Sequence, residues 1–410
     1  MASEAPHDHS DRSSPVHRDP NLRVIFGVTL VAVMGVSSIS PAFPRIARAL
    51  DVPAAQIGLL ITAFTLPGIV FRPILGALAD RWGRKVVLIP SLFLFGIAGG
   101  ACALARDFEI LLLLRFVQGL GVASLNSLAA TVIGDLYSGL TRATAMGYNA
   151  SVLSIGTASY PLLGGALAAF GWNYPFVLPL VAIPIGVLVI TTLDAPEPET
   201  EEPMRDYLRG VWRSVADPDA IRLFGLTTAT FVILFGVYVN YMPVLLGTAF
   251  GASSWLIGLL MSATSLSTAI TSMQMGRISR RWSEPTLIRA AFALYALALA
   301  TVPFTPSIGW LVIPALVFGV AQGINIPSLL TLLTGLAPMA QRGMFMSVNG
   351  MFLRLGQTVG PLAAGAIFAW GGTDGVFALG AMLAATLFAV ILAVGVSSPA
   401  HQDAQGGSTG

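Results

Sequence analysis

Charge is what this chain has least of. Asp, Glu, Lys and Arg together make 10% of its 410 residues, where an ordinary soluble domain carries roughly 25%. So few charges cannot clothe a water-facing surface of this size, whereas a surface turned to lipid does not need them. Cysteine is represented by Cys102 alone, which excludes an internal disulfide and leaves the redox compartment unread. The four histidines (His7, His9, His17, His401) all lie near the ends, which excludes a buried histidine metal cluster, a catalytic triad or a histidine proton relay. The one lysine, Lys85, does not stand between a glycine and a Ser/Thr as a P-loop requires, so ATP-driven work by this chain is not expected. A net charge of +2 is too small to argue for a nucleic-acid partner. No cofactor or metal is implied, and the apolar runs hold no constellation that would make the chain an enzyme.

What is present is hydrophobic length. Apolar residues make 55% of the chain, and a bilayer core of roughly 30 Å needs about 20 of them in helix. Runs of that length predict twelve spans, at 22–43, 55–77, 86–105, 109–134, 142–169, 174–193, 220–246, 254–277, 286–304, 308–335, 341–369 and 375–396. The glycines and prolines inside them are tolerated in lipid, where they mark close packing or kinks. The first run, Leu22 to Phe43, is too long for a signal core and is expected to stay as an uncleaved span.

Orientation follows from arginine and lysine. With both termini inside, the cytoplasmic segments hold sixteen of these residues and the external loops three (Arg45, Arg48, Arg106). Arg72, Arg115 and Arg354 remain within spans, and Arg72, close to the cytoplasmic end, is expected to snorkel. Residues 1–20 and 398–410 read as disordered cytoplasmic tails. The segment 194–219 is a polar linker whose Met204, Tyr207, Leu208, Val211, Trp212 and Val215 share one helical face. It is either an amphipathic helix on the membrane surface or a plain tether.

The chain also repeats itself. Ile57-Gly-Leu-Leu-Ile-Thr-Ala63 returns as Ile257-Gly-Leu-Leu-Met-Ser-Ala263, and Gly76, Arg81 and Trp82 return as Gly276, Arg281 and Trp282. Arg142, Met146, Asn149, Leu153, Gly156, Pro161, Leu162 and Gly165 return 200 residues later as well, while Gln118-Gly119 pairs with Gln322-Gly323. Six helices separate each position from its copy. The halves 21–193 and 220–397 are therefore expected to be parallel six-helix bundles about an axis along the membrane normal.

The loop after the second span, Gly76-Ala-Leu-Ala-Asp80-Arg81-Trp82-Gly83-Arg84-Lys85, resembles the signature of the major facilitator superfamily. Arg115-Phe-Val-Gln118-Gly119-Leu-Gly121 is similar to a motif of that family's drug–proton antiporters, and Gly156, Pro161, Gly164 and Gly165 to their antiporter motif, which departs at Tyr160. The resemblance covers the chain apart from its tails. It implies an all-α membrane protein in which Gly76, Asp80, Arg81, Gly83, Arg84 and Asp135 hold a cytoplasmic gate.

On residue chemistry, Asp80 can face the positive N-terminus of a helix near Arg342, and Arg84 can pair with Asp135. The second copy has Arg280 where Asp80 stands and Glu284 where Arg84 stands, so the gate is expected to be asymmetric. Arg115, Gln118 and Asn126 share one helical stripe, and Gln357 lies beside Arg354. These arginines either line a cavity or bond backbone carbonyls as packing glue. Tyr238, in a stripe with Phe231, Phe235 and Met242, is either a binding wall or packing. No Asp or Glu lies well inside a span, so the cavity is expected to be positive and to favour anionic or zwitterionic cargo. The resulting expectation is a monomeric exporter of small amphipathic compounds in the cell inner membrane, working by alternating access and driven by protons. Its alternative is an organic-anion or lipid carrier that uses Arg115 and Arg354 without proton coupling.

Overall fold

A computed structural model of the chain describes residues 16–194, 218–336 and 342–394. The linker face from Met204 to Val215 and the tail beyond residue 397 lie outside the described residues, as does most of the first tail. Among the described residues the chain is helical throughout, interrupted by short 3-10 turns and one π-helical stretch.

Among the described residues, eleven helical segments are long and apolar enough to cross a membrane. They are α1 (Pro20–Ala49), α2 (Ala54–Trp82), α3 (Arg84–Cys102), α4 (Phe108–Leu136), α5 (Gly139–Phe170), α6 (Tyr174–Thr192), α7 (Pro218–Thr248), α8 (Ser254–Met273), α9 (Glu284–Phe304), α10 (Ile308–Leu336) and α11. The last of these runs over Arg342–Val394, 53 residues, far more than the roughly 20 that one crossing needs. Gly372 breaks it, with φ 59° and ψ −157°, and the two spans expected at 341–369 and 375–396 fall on either side of that break.

Local chemistry sets the ends. Asp19 caps α1 by accepting from the Asn21 amide, with Pro20 in the first turn, where its missing N–H costs nothing. Gly83 joins α2 to α3 at φ 102°, a conformation that a Cβ disfavours. The loop motif therefore needs glycine at this place in order to fold the two helices back to back.

Large apolar side chains face outward along most segments, among them Ile97, Leu113, Ile155, Leu266 and Leu297. In water this would be an aggregation liability; against lipid it is the required surface. Trp82 and Trp282, copies of each other, are both exposed at the arginine-rich end, where indole rings favour the membrane–water boundary.

The repeat is visible as matched contacts. Thr29 donates to Asn149 (2.7 Å) between α1 and α5, and Thr227 donates to Asn349 (3.0 Å) between α7 and α11. The halves meet along two seams, α5 against α8 and α2 against α11. At the end away from the arginines these seams are backbone-tight. A Cβ on Gly258 would run into the Pro161 carbonyl and the Gly165 backbone, and one on Gly58 into Asn240 and Pro361. At the arginine-rich end, Gly76, Gly147 and Gly276 have no atom within 4 Å of where a Cβ would stand.

Candidate functional site

A cavity of about 450 Å³ lies between the halves at mid-depth. Segments α1, α2, α4, α5, α7, α8, α10 and α11 all contribute to its wall. Its body is aromatic: Phe64, Phe231, Phe235, Tyr238 and Phe318 line it. Tyr238 stacks on Phe318 with ring centroids 4.2 Å apart. The π-helical turn Val232–Tyr238 turns Leu234, Phe235 and Tyr238 toward the cavity. In this turn Gly236 lies backbone to backbone against Gly360 of α11. A wide turn of this kind re-aims side chains that a regular helix would carry elsewhere.

Of the expected binding residues, Asn126, Arg354, Gln357 and Tyr238 line the cavity. Arg354 donates from Nη1 to Gln357 Oε1 at 3.0 Å, and its Nε is buried with no hydrogen-bond partner among the described residues.

Arg115 and Gln118 lie elsewhere. Arg115 is 1% exposed, outside the cavity lining, and its guanidinium carbon sits 4.1 Å from the Phe64 ring centroid. It donates from Nη1 to Gln118 Oε1 at 2.7 Å and from Nε to the Leu60 carbonyl at 3.3 Å. A buried guanidinium without a carboxylate is costly, and these acceptors and the ring face offset part of that cost. The stripe drawn from Arg115 to Asn126 is thus split by Phe64, the cavity-facing ring that covers the arginine.

Arg72 is the residue that the sequence reading missed. Expected to snorkel, it lines the cavity instead, with its guanidinium packed on Gly350 of α11. Arg354 in turn packs on Gly68 of α2. The signal was present in the sequence: Gly68 and Arg72, like Gly350 and Arg354, are a glycine and an arginine four residues apart, one helical turn on a shared face.

At the arginine-rich end, Arg84 bridges two carboxylates. It pairs with Asp80 one turn back in sequence and, through Nε, with Asp135 Oδ2 at 3.0 Å. The pairing expected of Arg84 with Asp135 is present. Asp80 meets Arg84 here, and the helix start near Arg342 that Asp80 was expected to face adjoins residues outside the described ones. Asp80 is half exposed and Arg84 largely buried, so this is a charge network at the rim of the protein. Arg81 is exposed, and Lys85 donates to the Ile190 carbonyl at 3.3 Å. Gly76 stands clear of any neighbour.

The glycine–proline run of α5 is buried at Gly156, Tyr160, Pro161, Gly164 and Gly165. Gly156 packs on Leu30 and Val33, Gly164 on the Ser38 carbonyl, and Gly165 on Ser254 and Gly258 across the seam, while Pro161 reaches the cavity. The face presented by Gly164 and Gly165 is one that only residues without a Cβ can form at this spacing.

The family model described as Major Facilitator Superfamily matches residues 25–253 and 224–409. Multidrug resistance protein 1 of Bacillus subtilis (strain 168) is 26% identical over 359 residues, covering 85% of this chain and 89% of that protein. The class D tetracycline resistance protein of Salmonella ordonez is 27% identical over 391 residues, covering 91% and 96%. Among solved structures, the nucleoside transporter NupG superposes with a TM-score of 0.75 at 15% identity, covering 92% of this chain and 100% of that one.

Proposed function

The chain belongs to the Major Facilitator Superfamily, a multi-pass membrane transporter of the drug-efflux type rather than an enzyme, and from this we propose how it works. It has twelve spans in two six-helix halves, with both termini cytoplasmic, and sits as a monomer in the cell inner membrane. It exports small amphipathic organic compounds by alternating access, coupled to protons. The observation that carries this reading is the uneven contact between the halves around the cavity. Backbone-tight glycine and proline packing joins them at one end, while Gly76, Gly147 and Gly276 stand clear at the arginine-rich, cytoplasmic end. Rocking about the cavity would exchange these conditions. The Asp80–Arg84–Asp135 network lies where the open end would close, and the antiporter run Gly156–Gly165 lies along the seam that would flex.

In this reading Arg115 and Gln118 set the position of Phe64, and Asn126, Tyr238, Arg354 and Gln357 touch cargo. Protons would use Asp80, Asp135 or Glu109. One observation favours a second reading, an organic-anion or lipid carrier that moves no proton: among the described residues, no Asp or Glu lines the cavity.

Transport of matched aromatic amines, amides and carboxylates into proteoliposomes tests the proposal. Asp80→Asn and Arg115→Ala are each expected to reduce transport with folded protein retained, and full activity in both overturns their roles. A pH change inside the vesicle on addition of cargo supports proton coupling; transport without one selects the second reading.

A further inference from the structure

One glutamine on the cavity wall is held from behind. Gln322 of α10 lines the cavity and is 5% exposed, and its Oε1 accepts from the buried hydroxyl of Tyr295 on α9. The polar chain that fixes this bond starts on α7. Thr230 gives its proton to the Leu226 carbonyl (2.8 Å), so it can only accept from Asn325 Nδ2 (2.7 Å), and this settles which way the Asn325 amide faces. The Asn325 side chain also interacts with the Tyr295 hydroxyl. Its Oδ1 has no hydrogen-bond partner among the described residues, so the tyrosine's proton goes to Gln322. Gln322 therefore meets the cavity with its Nε2 hydrogens, as a neutral donor held in place beforehand. Its copy Gln118 is pinned in the same way by Arg115, but the Gln118 Nε2 is buried outside the cavity lining.

On either side of Gln322 stand acceptors. Thr268 of α8 donates to the Gly319 carbonyl (3.1 Å) and Ser272 to the Gly323 carbonyl (3.1 Å), both on the stretch of α10 that carries Gln322. With their single protons spent, these hydroxyls offer only lone pairs to the cavity they line. One turn back on α10, Phe318 stacks with Tyr238, and both rings line the cavity. Tyr238 adds no donor, because Thr264 gives its proton to the Leu260 carbonyl and the tyrosine hydroxyl must donate to Thr264. The wall between α8 and α10 is thus an aromatic plate bordered by one donor and two acceptors.

We propose that this wall binds planar cyclic amides, lactams and imides fused to an aromatic ring. The ring carbonyl accepts from Gln322 Nε2, the adjacent ring N–H donates to Thr268 or Ser272, and the ring face lies against Tyr238 and Phe318. A lactone lacks the donor and an indole lacks the acceptor. Each leaves one group of the wall unpaired, which a site shut off from water penalises. Tyr295 is a positioning residue: it touches no cargo and fixes the amide that does.

The proposal rests on the transport reading only in taking this cavity as the cargo site, and its test is binding rather than transport. Purified full-length protein is titrated with three bicyclic compounds of one size: isoindolinone (carbonyl and N–H), phthalide (carbonyl alone) and indole (N–H alone). Isoindolinone is expected to bind about fivefold more tightly than either of the others, the worth of one net hydrogen bond. In Gln322→Met it should fall to the level of indole, with phthalide weakened and indole unchanged. In Thr268→Val combined with Ser272→Ala it should fall to the level of phthalide, with phthalide unchanged. The unchanged probe in each case reports a folded protein. Tyr295→Phe should act as a milder Gln322→Met, weakening the two carbonyl compounds and sparing indole; equal binding of all three relative to the native chain overturns the role given to Tyr295. A native chain that binds isoindolinone no more tightly than phthalide or indole overturns the proposal without any variant, and so does a lactam preference that survives Gln322→Met. Absence of transport with the preference intact would sink the transport reading alone.

Discussion

The two halves of the chain agree where backbone meets backbone and differ where charge is placed. Gly165 meets the Ser254 carbonyl and its copy Gly365 meets the Ala55 carbonyl at the closed end, and the Thr29–Asn149 bond repeats as Thr227–Asn349. Yet Arg115 has Gly319 as its copy, and Gly319 packs directly on the Thr264 carbonyl. The Asp80–Arg84 pair is answered by Arg280 and Glu284, the same charges in reverse order. A duplicated scaffold keeps the contacts that allow two helices to approach, because almost any side chain there would push them apart. A cavity wall carries no such constraint, so its chemistry is free to diverge.

The sharpest way to break the comparison is at the glycines. Gly258 faces backbone across the seam, whereas Gly58 faces a side chain, Asn240, and a proline ring. Gly258→Leu should therefore cost about 3 kcal/mol or more and lower the melting temperature in detergent, with Gly58→Leu costing visibly less. Equal losses would mean that the seams are packed alike.

The gate comes next. Arg84→Ala should reduce transport about tenfold, or about 1.4 kcal/mol, by leaving Asp80 and Asp135 to repel each other. Glu284→Gln in the second copy should leave the rate nearly unchanged. If the second substitution is as harmful as the first, the gate is symmetric after all.

The smallest expected effect tests agreement rather than difference. Asn149→Ala and Asn349→Ala each remove one buried hydrogen bond between helices, worth about 0.6 kcal/mol by membrane double-mutant cycles. Thermal denaturation should give similar losses for both. Unequal losses would show that the matched bonds have taken on different duties.

Much of this was legible in the sequence. The Asp80-to-Lys85 loop and the Gly156–Gly165 run were legible through the family signature they resemble, and the pairing of Arg84 with Asp135 through their equal depth at the same end of neighbouring spans. Twelve apolar runs were countable because a bilayer sets their length. Arg72 and Arg115 went the other way. Arg72, nearer a span end, reaches the cavity, while Arg115, deeper in its span, is covered by Phe64. Depth along a helix is counted in residues, but rotation about the helix axis is not.

The sequence by itself determined the solvent, the apolar runs, the internal repeat and the glycines that set how near helices come, since each follows from counting apolar length, matching registers and noting small residues. Only the tertiary structure decided which arginines look into the cavity and which hydroxyls have protons left to give. The reason is physical: lipid and protein interior are equally apolar, so a spanning helix carries little hydrophobic contrast to fix its inward face. That face is chosen by packing against neighbours, here by a π-helical turn at Gly236 and by two arginines resting on two glycines.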